Sequence, residues 1–401
     1  MTAPNSLARV VLKPKRSQPF FGRHPWVFAG AIDRIEGTPD DGAEVDLVSS
    51  TGTFIARGLY NSQSKIQVRL YTWDEGQALD REFWRQRIAK AILLRHHVLH
   101  LERGPAAAYR VIFGESDFLS GMVVDRYADY LTVQFTSLAM AQRKEIFAEL
   151  LAAELNAKGI YLRTDKGIGK LEGLSLQDGT LWGEAPPTEL EIEEHGLTFA
   201  VNLTEGQKTG YYLDQRDNRV AVARLCPGKR VLDAFCYAGG FGLYAAKAGA
   251  SQVVCVDASE AAIALAQKNF LRNAMGQAEF VTANVFHHLA DLASRREQFD
   301  VIILDPPKFA RDRKAVPEAI SGYRRLHTLA LKLLAPDGVL VSCCCSGLIT
   351  PDELENVIGQ CAIAAKRDLQ ILERRGPAPD HPVAITCRES GYLKCIISRV
   401  W

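Results

Sequence analysis

The sequence predicts an α/β protein of three regions. A small β-barrel comes first, a mixed α/β region follows, and a parallel sheet with helices on both faces completes the chain. Two patterns predict this order: turn glycines separate short β-rich runs up to about residue 77, and strands alternate with helical segments from about residue 190 onward. The length of 401 residues suits two or three domains. We predict their limits as 1–78, 79–190 and 191–401.

In the first region, β-rich runs lie between turn residues. Gly37, Gly42, Gly52 and Gly58 punctuate these runs, and short runs bounded by glycine are typical of strands. The predicted strands are Arg9–Leu12, Glu44–Ser49, Thr53–Leu59 and Ile66–Tyr71. Together they indicate the small β-barrel.

The second region mixes helical and strand patterns and carries no motif of recognisable chemistry. Its helices are predicted over Arg81–Leu101 and Ala139–Leu155. Its strands are predicted near Gly121–Asp125, Tyr130–Thr136 and Ile160–Arg163. The stretch Asp178–Pro187 is rich in Gly and Pro, which favours a linker to the third region.

The third region alternates strands with helices, which predicts a parallel sheet covered on both faces. The predicted strands are Arg230–Phe235, Gln252–Asp257, Glu279–Thr282, Val301–Asp305 and Val339–Cys343. The predicted helices cover about 240–249, 259–274, 318–335 and 351–366. Two further runs, Val383–Arg388 and Leu393–Arg399, flank Glu389-Ser-Gly391 and predict a terminal hairpin.

Composition argues against several classes of protein. The 47% hydrophobic and 24% charged content is ordinary for a soluble globular chain, and no apolar run approaches the roughly 18 residues of a membrane span. The nine cysteines all lie from Cys226 onward and form no Cys-x-x-Cys pair, which disfavours a disulfide framework and a zinc site. Reduced thiols and an N-terminus without an apolar signal core predict a cytoplasmic protein with no metal and no membrane partner.

The first thirty residues are basic, although the whole chain has a net charge of only +1. They contain no acid, and aromatic residues lie between the basic ones. The pattern suits phosphate contact combined with base stacking, although a solvated basic segment over a small core would look the same. The predicted RNA-binding residues are Lys13, Lys15, Arg16, Arg23 and Trp26.

A glycine turn follows the first strand of the third region, in the run from Val231 to Gly242. Glycines at the carboxyl edge of a parallel sheet let the backbone approach a ligand, and the absence of Gly-x-Gly-x-x-Gly disfavours a dinucleotide. Asp257 ends the next strand, where its carboxylate is placed to accept two ribose hydroxyls, and Asn284 follows the third strand, where it is placed to bond an adenine amino group. With Asp233 and Asp305 at other strand ends, the set predicts S-adenosylmethionine rather than a nicotinamide cofactor. N-capping of helices is the alternative role for Asp257 and Asn284.

Two further strand ends bring together a carboxylate and thiols. Leu304-Asp-Pro-Pro-Lys-Phe309 offers the Asp305 carboxylate and peptide carbonyls to a nitrogen-rich ring, and Ser342-Cys-Cys-Cys-Ser-Gly347 places thiols at the end of a later strand. Such a pair suits the grip and covalent attack of a pyrimidine. The plainer alternative is a turn beside small buried cysteines. Lys308 is a candidate proton acceptor only if burial lowers its pKa.

These motifs resemble the ribosomal large-subunit methyltransferase I family, whose members are cytosine-C5 methyltransferases of large-subunit ribosomal RNA. The resemblance spans the chain. It rests on Gln207-Lys-Thr-Gly-Tyr-Tyr-Leu-Asp-Gln-Arg-Asp-Asn-Arg219, Asp-x-Phe-x-Tyr-x-Gly-Gly-Phe at 233–241, Asp-Pro-Pro-Lys-Phe at 305–309, Cys-Ser-Gly at 345–347, Arg23-His-Pro-Trp-Val-Phe28, Ala56-Arg-Gly58, Gly114-Glu-Ser-Asp117, Asp125-Arg126 and His381-Pro-Val383. The chain departs from the family at Cys236, where a hydroxyl residue is common, and in the extra thiols of Cys343 and Cys344.

The resemblance implies an N-terminal PUA RNA-binding domain, a central α/β domain and a C-terminal Rossmann-like methyltransferase domain. It also implies that Cys345 is the nucleophile, that Asp305 faces the target base, and that ribosomal RNA is the partner. A second copy of the chain is a further candidate partner. The cofactor-binding set expected for S-adenosylmethionine is Thr209, Tyr212, Arg216, Asp233, Phe235, Tyr237, Gly239, Gly240, Phe241, Asp257, Ser259, Asn284, Val285, Asp305 and Pro306.

Two other functions fit parts of the sequence. An RNA base methyltransferase that modifies an amino group or ring nitrogen also uses an Asp-Pro-Pro turn but needs no thiol. A non-catalytic RNA-binding assembly factor would need neither the thiol nor the complete cofactor pocket.

Overall fold

A computed structural model describes residues 7–101, 104–204, 210–276, 278–310 and 312–401, with only the backbone at position 166. The chain divides into two compact units. The first comprises Met1–Ile192, Val201–Tyr211 and Pro379–Ser390, and the second comprises Glu193–Ala200, Tyr212–Ala378 and Gly391–Trp401. The domain limits 1–78, 79–190 and 191–401 stay a prediction. Across the described ranges, every helix is too short or too polar to cross a membrane.

The first unit opens with a six-stranded sheet in the order β2-β6-β5-β4-β1-β3. Its strands are β1 (Ala8–Leu12), β2 (Trp26–Phe28), β3 (Ile32–Glu36), β4 (Glu44–Val48), β5 (Phe54–Tyr60) and β6 (Ile66–Thr72), with a short helix α1 (Gln18–Phe21) after β1. The pair β1 and β4 is parallel, and the other pairs are antiparallel. Buried residues such as Val10, Val45 and Val68 form its core. The sequence did not predict β2, which is only three residues long, or β3, whose residues are mostly polar and only partly buried or exposed.

A second sheet of the same unit has the order β11-β10-β9-β8-β7. Its strands are β7 (Ala108–Phe113), β8 (Met122–Tyr127), β9 (Tyr130–Phe135), β10 (Gly159–Leu162) and β11 (Gly179–Gly183). The helices are α2 (Arg81–Leu93), α3 (Leu138–Ala141), α4 (Lys144–Leu155) and α5 (Lys166–Glu172). The buried Trp84 ring lies 5.5 Å from the Phe147 ring, which joins α2 to α4 above this sheet.

Three predictions for this region are wrong. The single helix predicted over Ala139–Leu155 is interrupted at residues 142–143, between α3 and α4. The helix predicted over Arg81–Leu101 ends at Leu93 and continues as a π-helical turn over Leu94–Val98. That turn carries Arg95, whose fully buried guanidinium donates to both oxygens of Asp117 at 2.5 and 2.8 Å. The linker predicted over Asp178–Pro187 contains β11, which pairs antiparallel with β10, so these glycines belong to an edge strand.

The second unit is built on a seven-stranded sheet in the order β16-β15-β14-β17-β18-β20-β19. A separate hairpin, β12 (Leu190–Glu194) and β13 (Leu197–Val201), precedes it in the chain. The strands are β14 (Arg230–Ala234), β15 (Gln252–Asp257), β16 (Ala278–Thr282), β17 (Phe299–Leu304), β18 (Leu334–Cys344), β19 (Leu369–Arg375) and β20 (Lys394–Val400). The helices are α6 (Arg216–Ala223), α7 (Gly240–Lys247), α8 (Glu260–Arg272), α9 (Val285–Ser294), α10 (Val316–Leu333) and α11 (Pro351–Ala364).

The predicted parallel sheet is present from β16 to β18, where each neighbouring pair is parallel. The strand order reverses at β14, and in open α/β sheets ligands bind beyond the strand ends at such a point. The predicted terminal hairpin is wrong. Strand β20 pairs antiparallel with β18 and β19, while Val383–Arg388 forms no strand and contains a single bridge between Ala384 and Cys387.

Candidate active site

The glycine turn after β14 is held by the side chain at the end of that strand. Asp233 Oδ2 accepts a hydrogen bond from the Gly242 backbone N–H at 2.8 Å, in the first turn of α7. Between them, Phe235 and Tyr237 have positive φ angles of 65° and 46°, as has Gly239 at 75°. Non-glycine residues in this region store strain, which is typical of functional sites. The backbone here is therefore a constrained turn at the edge where the strand order reverses.

Asp233 is buried, and burial raises the pKa of its carboxyl to about 7. Within the described ranges, its Oδ1 atom makes no hydrogen bond. A buried carboxylate oxygen without a donor is unfavourable, and a cationic ligand group at this point would satisfy it. A methyl group added to Gly239 would lie 3.0 Å from the Ala266 Cβ, so the turn also needs glycine at this position. The unsatisfied oxygen of Asp233 fits the ammonium of S-adenosylmethionine, whereas glycine at position 239 is needed for the packing of the turn against α8.

Asp257, at the end of β15, is engaged by two backbone amides. Its Oδ2 accepts from Tyr237 N at 3.0 Å and its Oδ1 from Ser259 N at 2.9 Å. Ser259 in turn caps α8 through Ala262 N. Each carboxylate oxygen accepts more than one hydrogen bond, so these contacts orient Asp257 and leave acceptor capacity for ribose hydroxyls.

Asn284 caps α9, since its side-chain oxygen accepts from His287 N at 3.2 Å. Its side chain is exposed, and within the described ranges its amide nitrogen makes no hydrogen bond. Val285 is buried behind it, and the Phe235 ring lies 6.3 Å from the Phe286 ring. The capping alternative is therefore present, and it is compatible with the predicted adenine contact.

The motif before α6 contributes Tyr212, whose ring packs against that of Tyr237 beside the glycine turn. The Tyr212 ring lies 5.3 Å from the Tyr237 ring, edge to face. Arg219 donates to the Tyr212 carbonyl at 2.6 Å, and its guanidinium lies 6.0 Å above the buried Phe241 ring. Arg216 is buried beside Asp217 at 3.3 Å. The remaining predicted member, Thr209, lies outside the described residues, and Gly240 begins α7.

The carboxylate and thiol motifs meet at neighbouring strand ends. Asp305 follows β17 and its N–H donates to the Ala234 carbonyl at 3.3 Å. Cys345 follows β18, and its Sγ lies 3.9 Å from the Pro306 carbonyl oxygen. The thiol therefore lies against the Asp-Pro-Pro turn. Lys308 is exposed, so the burial on which its candidacy as a proton acceptor depended is absent.

The three neighbouring cysteines occupy different environments. Cys343 lies opposite Cys395 on β20, and their hydrogen bond, together with burial, raises the pKa of Cys343 well above its usual value. Cys344 is fully buried in the apolar cluster that contains Leu340. Cys345 alone of the nine cysteines is partly exposed. Strand β18 ends at Cys344, so Cys345 lies just beyond the strand and is the accessible thiol of the three.

A lysine that the sequence reasoning missed supports the turn after Cys345. Lys394, on β20 opposite Cys344, is buried and donates to the carbonyl oxygens of Ser346 at 2.5 Å and Tyr392 at 2.9 Å. Burial lowers its pKa. The only signal in the sequence was a lysine within an otherwise apolar run.

A polar chain, also missed, ends at Asp305. Gln215 Nε2 donates to Asp305 Oδ2 at 3.1 Å, and Asn218 Nδ2 donates to Gln215 Oε1 at 2.6 Å. Arg375 Nε donates to Asn218 Oδ1 at 2.9 Å. Gln215 and Asn218 belong to the motif before and within α6, where their burial is the unusual feature.

The predicted RNA-binding residues lie in the first unit: Lys13, Lys15, Arg16, Arg23 and Trp26. The four basic side chains are exposed. The ring of the tryptophan is half-buried, and its indole N–H donates to Glu115 at 3.0 Å. Phe21 and Phe28 of the same segment are 50% and 48% exposed, so they are better placed than Trp26 to stack on a base.

Comparison with known proteins agrees with this geometry. Residues 178–393 match the family model of S-adenosylmethionine-dependent methyltransferases, and residues 10–73 match that of the PUA-like domain. The chain is 41% identical over 395 residues to ribosomal RNA large subunit methyltransferase I of Shewanella amazonensis, which covers 98% of this chain and 99% of that protein. The protein of that name from Citrobacter koseri is 40% identical over 394 residues, with the same coverage. The chain belongs to the ribosomal RNA large subunit methyltransferase I family.

Solved structures confirm the fold expected of this family. A chain classed as a methyltransferase and solved with SAH superimposes with a TM-score of 0.85 at 21% identity, covering 98% of this chain and 99% of that chain. A second structure, from Streptococcus mutans, has a TM-score of 0.82 at 20% identity with the same coverage. The predicted fold class is confirmed: an N-terminal PUA-like domain and an S-adenosylmethionine-dependent methyltransferase fold.

Proposed function

We propose that this protein methylates carbon 5 of a cytosine in large-subunit (23S) ribosomal RNA through a covalent bond between Cys345 and carbon 6 of the base. The observation that carries the proposal is the 3.9 Å contact of the Cys345 thiol with the Pro306 carbonyl, beside Asp305. The names of the relatives support the substrate, since they are ribosomal RNA large subunit methyltransferases. All nine cysteines are unbridged, which supports a cytoplasmic reaction.

Carbon 5 of cytosine is a weak nucleophile, so the reaction needs a step that raises its electron density. The thiolate of Cys345 adds to carbon 6 and forms a C–S bond, which splits one difficult step into two easier ones. The displaced electron pair moves toward N3, where Asp305 supplies a hydrogen bond or a proton. S-adenosylmethionine supplies a methyl group on a sulfonium, and carbon 5 accepts it. S-adenosylhomocysteine is the other product of this transfer. Removal of the carbon 5 proton by a base then lets the C–S bond break, which returns the thiolate of Cys345, and N3 gives back any proton that it took from Asp305.

The surrounding residues bind and orient the reactants in this proposal. Asp257, held by two amides, accepts the ribose hydroxyls. Asp233 supplies an acceptor for the ammonium, and Tyr212 with Tyr237 forms an aromatic wall. In the first unit, the exposed basic residues of the N-terminal segment contact RNA phosphates. The stiff Pro306-Pro307 turn offers a carbonyl to the exocyclic amine of the base.

The test uses RNA that carries 5-fluorocytosine at the target. Fluorine cannot leave as a proton does, so the adduct persists after methyl transfer. Wild-type protein, Cys343→Ala and Cys344→Ala should form the adduct, and Cys345→Ala should not, although it should still bind S-adenosylmethionine and RNA. An adduct mapped to another cysteine, or full methyl transfer by Cys345→Ala, would contradict the proposal. Full transfer without the thiol is the result expected of an amino- or ring-nitrogen methyltransferase.

A further inference from the structure

A chain of three side chains leads from the far edge of the sheet to Asp305. It runs from Arg375 at the end of β19 through Asn218 of α6 to Gln215 and then to Asp305, with the distances of 2.9, 2.6 and 3.1 Å given above. Gln215 and Asn218 are almost wholly buried, at 2% and 1% exposure. A buried side-chain amide must match each of its oxygen and nitrogen atoms to a suitable partner. The partners at the ends of this chain therefore determine which group donates in each hydrogen bond.

The direction is fixed at the Arg375 end. A guanidinium only donates, so the Asn218 oxygen must face it, and the Asn218 nitrogen must face the other way. Two acceptors lie there: the Gly376 carbonyl at 3.1 Å and Gln215 Oε1 at 2.6 Å. Because the Gln215 oxygen accepts from Asn218, the Gln215 nitrogen is left to donate to Asp305. The polarity of the whole chain therefore follows from one donor-only group and one acceptor-only carbonyl.

We infer that Gln215 is a positioning residue, which keeps an N–H on Asp305 Oδ2, so that a proton on this oxygen would cost the carboxyl that hydrogen bond. The inference rests on the proposed function. A hydrogen bond to an ionised carboxylate favours that form, so the chain also holds the pKa of Asp305 lower than the site would otherwise set it. If the hydrogen bonds of this chain were reversed, the Gln215 amide oxygen would face Asp305 Oδ2, and the pKa of Asp305 would rise.

Other titratable groups surround Asp305 and have to be separated from it. Among the groups that interact with it electrostatically are Tyr212, Asp233 of β14, Tyr323 of α10 and Cys343 of β18. The Cys345 thiol is adjacent as well, 3.9 Å from the Pro306 carbonyl, and every variant used below retains it. Burial is the first cause of the raised pKa of Tyr212 and Tyr323, and a hydrogen bond with Cys395 that of Cys343, so these three stay neutral near pH 7. The Asp233 carboxyl titrates at about 7, and its titration is expected to show in cofactor affinity. Saturating S-adenosylmethionine isolates the transfer step.

The experiment follows single-turnover transfer of a tritium-labelled methyl group to large-subunit RNA as a function of pH. Gln215→Glu keeps the bond from Asn218 but places a second carboxylate against Asp305, and Asn218→Asp turns the Gln215 amide round. Both should slow methyl transfer. Both should also raise, by about one unit or more, the pH at which ionisation of Asp305 changes the transfer rate, since a hydrogen bond to the charged carboxylate is lost. We call this part of the pH profile the Asp305 limb. Arg375→Met should shift the limb in the same direction. Arg374→Met is the matched control, because Arg374 pairs with Glu355 on the protein surface and should leave the profile unchanged.

Three outcomes would overturn the inference: an unshifted limb in the variants, a slower rate without a shift, or an equal shift in Arg374→Met. The melting temperature and the calorimetric affinity for S-adenosylmethionine show whether a variant is folded. If one of the three variants does not fold, the same shift is expected in the other two. The methylated nucleoside is identified separately by mass spectrometry. A product other than 5-methylcytidine would refute the proposed function, while the pH limb would still decide for or against Gln215.

Discussion

The ammonium of Lys394 and the carbonyl oxygen of Ser346 lie 2.5 Å apart, so a buried charge on β20 fixes the residue that follows the proposed nucleophile. A second hydrogen bond, to the Tyr392 carbonyl, completes this anchor. A buried ammonium is unfavourable unless it is compensated, and here two carbonyl dipoles surround it. The electrostatic influence of Cys344 and Cys345 opposes the lowering of the Lys394 pKa by burial, so a thiolate at Cys345 would add to the compensation.

Replacement of Lys394 by Met should therefore loosen the turn and remove a positive charge near the thiol. We expect adduct formation with 5-fluorocytosine RNA to slow by at least about tenfold, since hydrogen bonds to charged groups are each worth about 1.5–3 kcal/mol. Affinity for S-adenosylmethionine should be unchanged. Lys332→Met, at an exposed position of α10, is the matched control. An unaltered adduct rate in Lys394→Met would show that the anchor has no part in the reaction.

Replacement of Asp257 by Ala should weaken S-adenosylmethionine binding by at least about tenfold, at 1.4 kcal/mol per decade, because the variant loses the charged acceptor proposed for the ribose. It also frees Tyr237 N and Ser259 N, so the turn beside the pocket loses its brace. Isothermal titration calorimetry measures the affinity. Asp291→Ala, on exposed α9 surface, should bind as the wild type does. Wild-type affinity in a folded Asp257→Ala protein would rule out the ribose assignment.

Simultaneous change of Lys13, Lys15, Arg16 and Arg23 to Ala should weaken RNA binding and flatten its dependence on salt. Each lost phosphate contact on a single strand removes about 0.7 from the slope of log affinity against log salt concentration. Filter binding across a salt series measures both quantities. The control changes four basic residues of the same unit that are paired with acids: Arg34, Arg81, Arg85 and Lys158. If the two quadruple variants lose the same affinity, the segment has no special role.

His327 should make the protein less stable in mild acid. It is buried and neutral, with one ring nitrogen donating to the Tyr323 carbonyl at 2.7 Å and the other 2.9 Å from the Ser342 hydroxyl. Burial lowers its pKa from 6.5 to about 4. Between pH 6.5 and pH 4 the histidine is protonated more fully in the unfolded chain than in the folded one. The free energy of unfolding is therefore highest above about pH 6.5, and this histidine lowers it by about 3 kcal/mol at most as the pH falls to 4.

Urea unfolding at pH 7.5 and pH 4.5 tests this directly. His327→Gln lacks the titrating ring, so its stability should fall less between the two pH values than that of the wild type. His287→Gln, at an exposed position of α9, should keep the wild-type dependence. An equal fall in His327→Gln and the wild type would assign the acid sensitivity to other groups.

Much of the parallel part of the sheet was predictable because β14, β15 and β17 are short runs of mostly apolar, buried residues. Strand β14, for example, differs from its prediction by one residue at one end. The antiparallel place of β20 was not predictable, because a short apolar run does not show which strand it will pair with. The observed partners, β18 and β19, precede it in the chain.

The candidate site divides in the same way. Asp305 and Cys345 were predictable because each ends a strand, and parallel strand ends meet at one edge. Gln215 and Asn218 were not, since a polar residue in a helix of mixed composition resembles a solvated one, and burial is a property of the folded chain. The bond between Arg375 and Asn218 joins residues 157 positions apart, a separation at which no local pattern operates.

The unequal exposure of the nine cysteines has a practical consequence. Eight are buried and only Cys345 is partly accessible to solvent. A thiol-directed fluorophore or spin label should therefore attach to the native chain at a single position, with no cysteine removed by mutation. This thiol lies at the strand end where we propose that the RNA base docks. Quenching of a label at Cys345, or protection of the free thiol from labelling, would therefore report the binding of RNA or S-adenosylmethionine in real time.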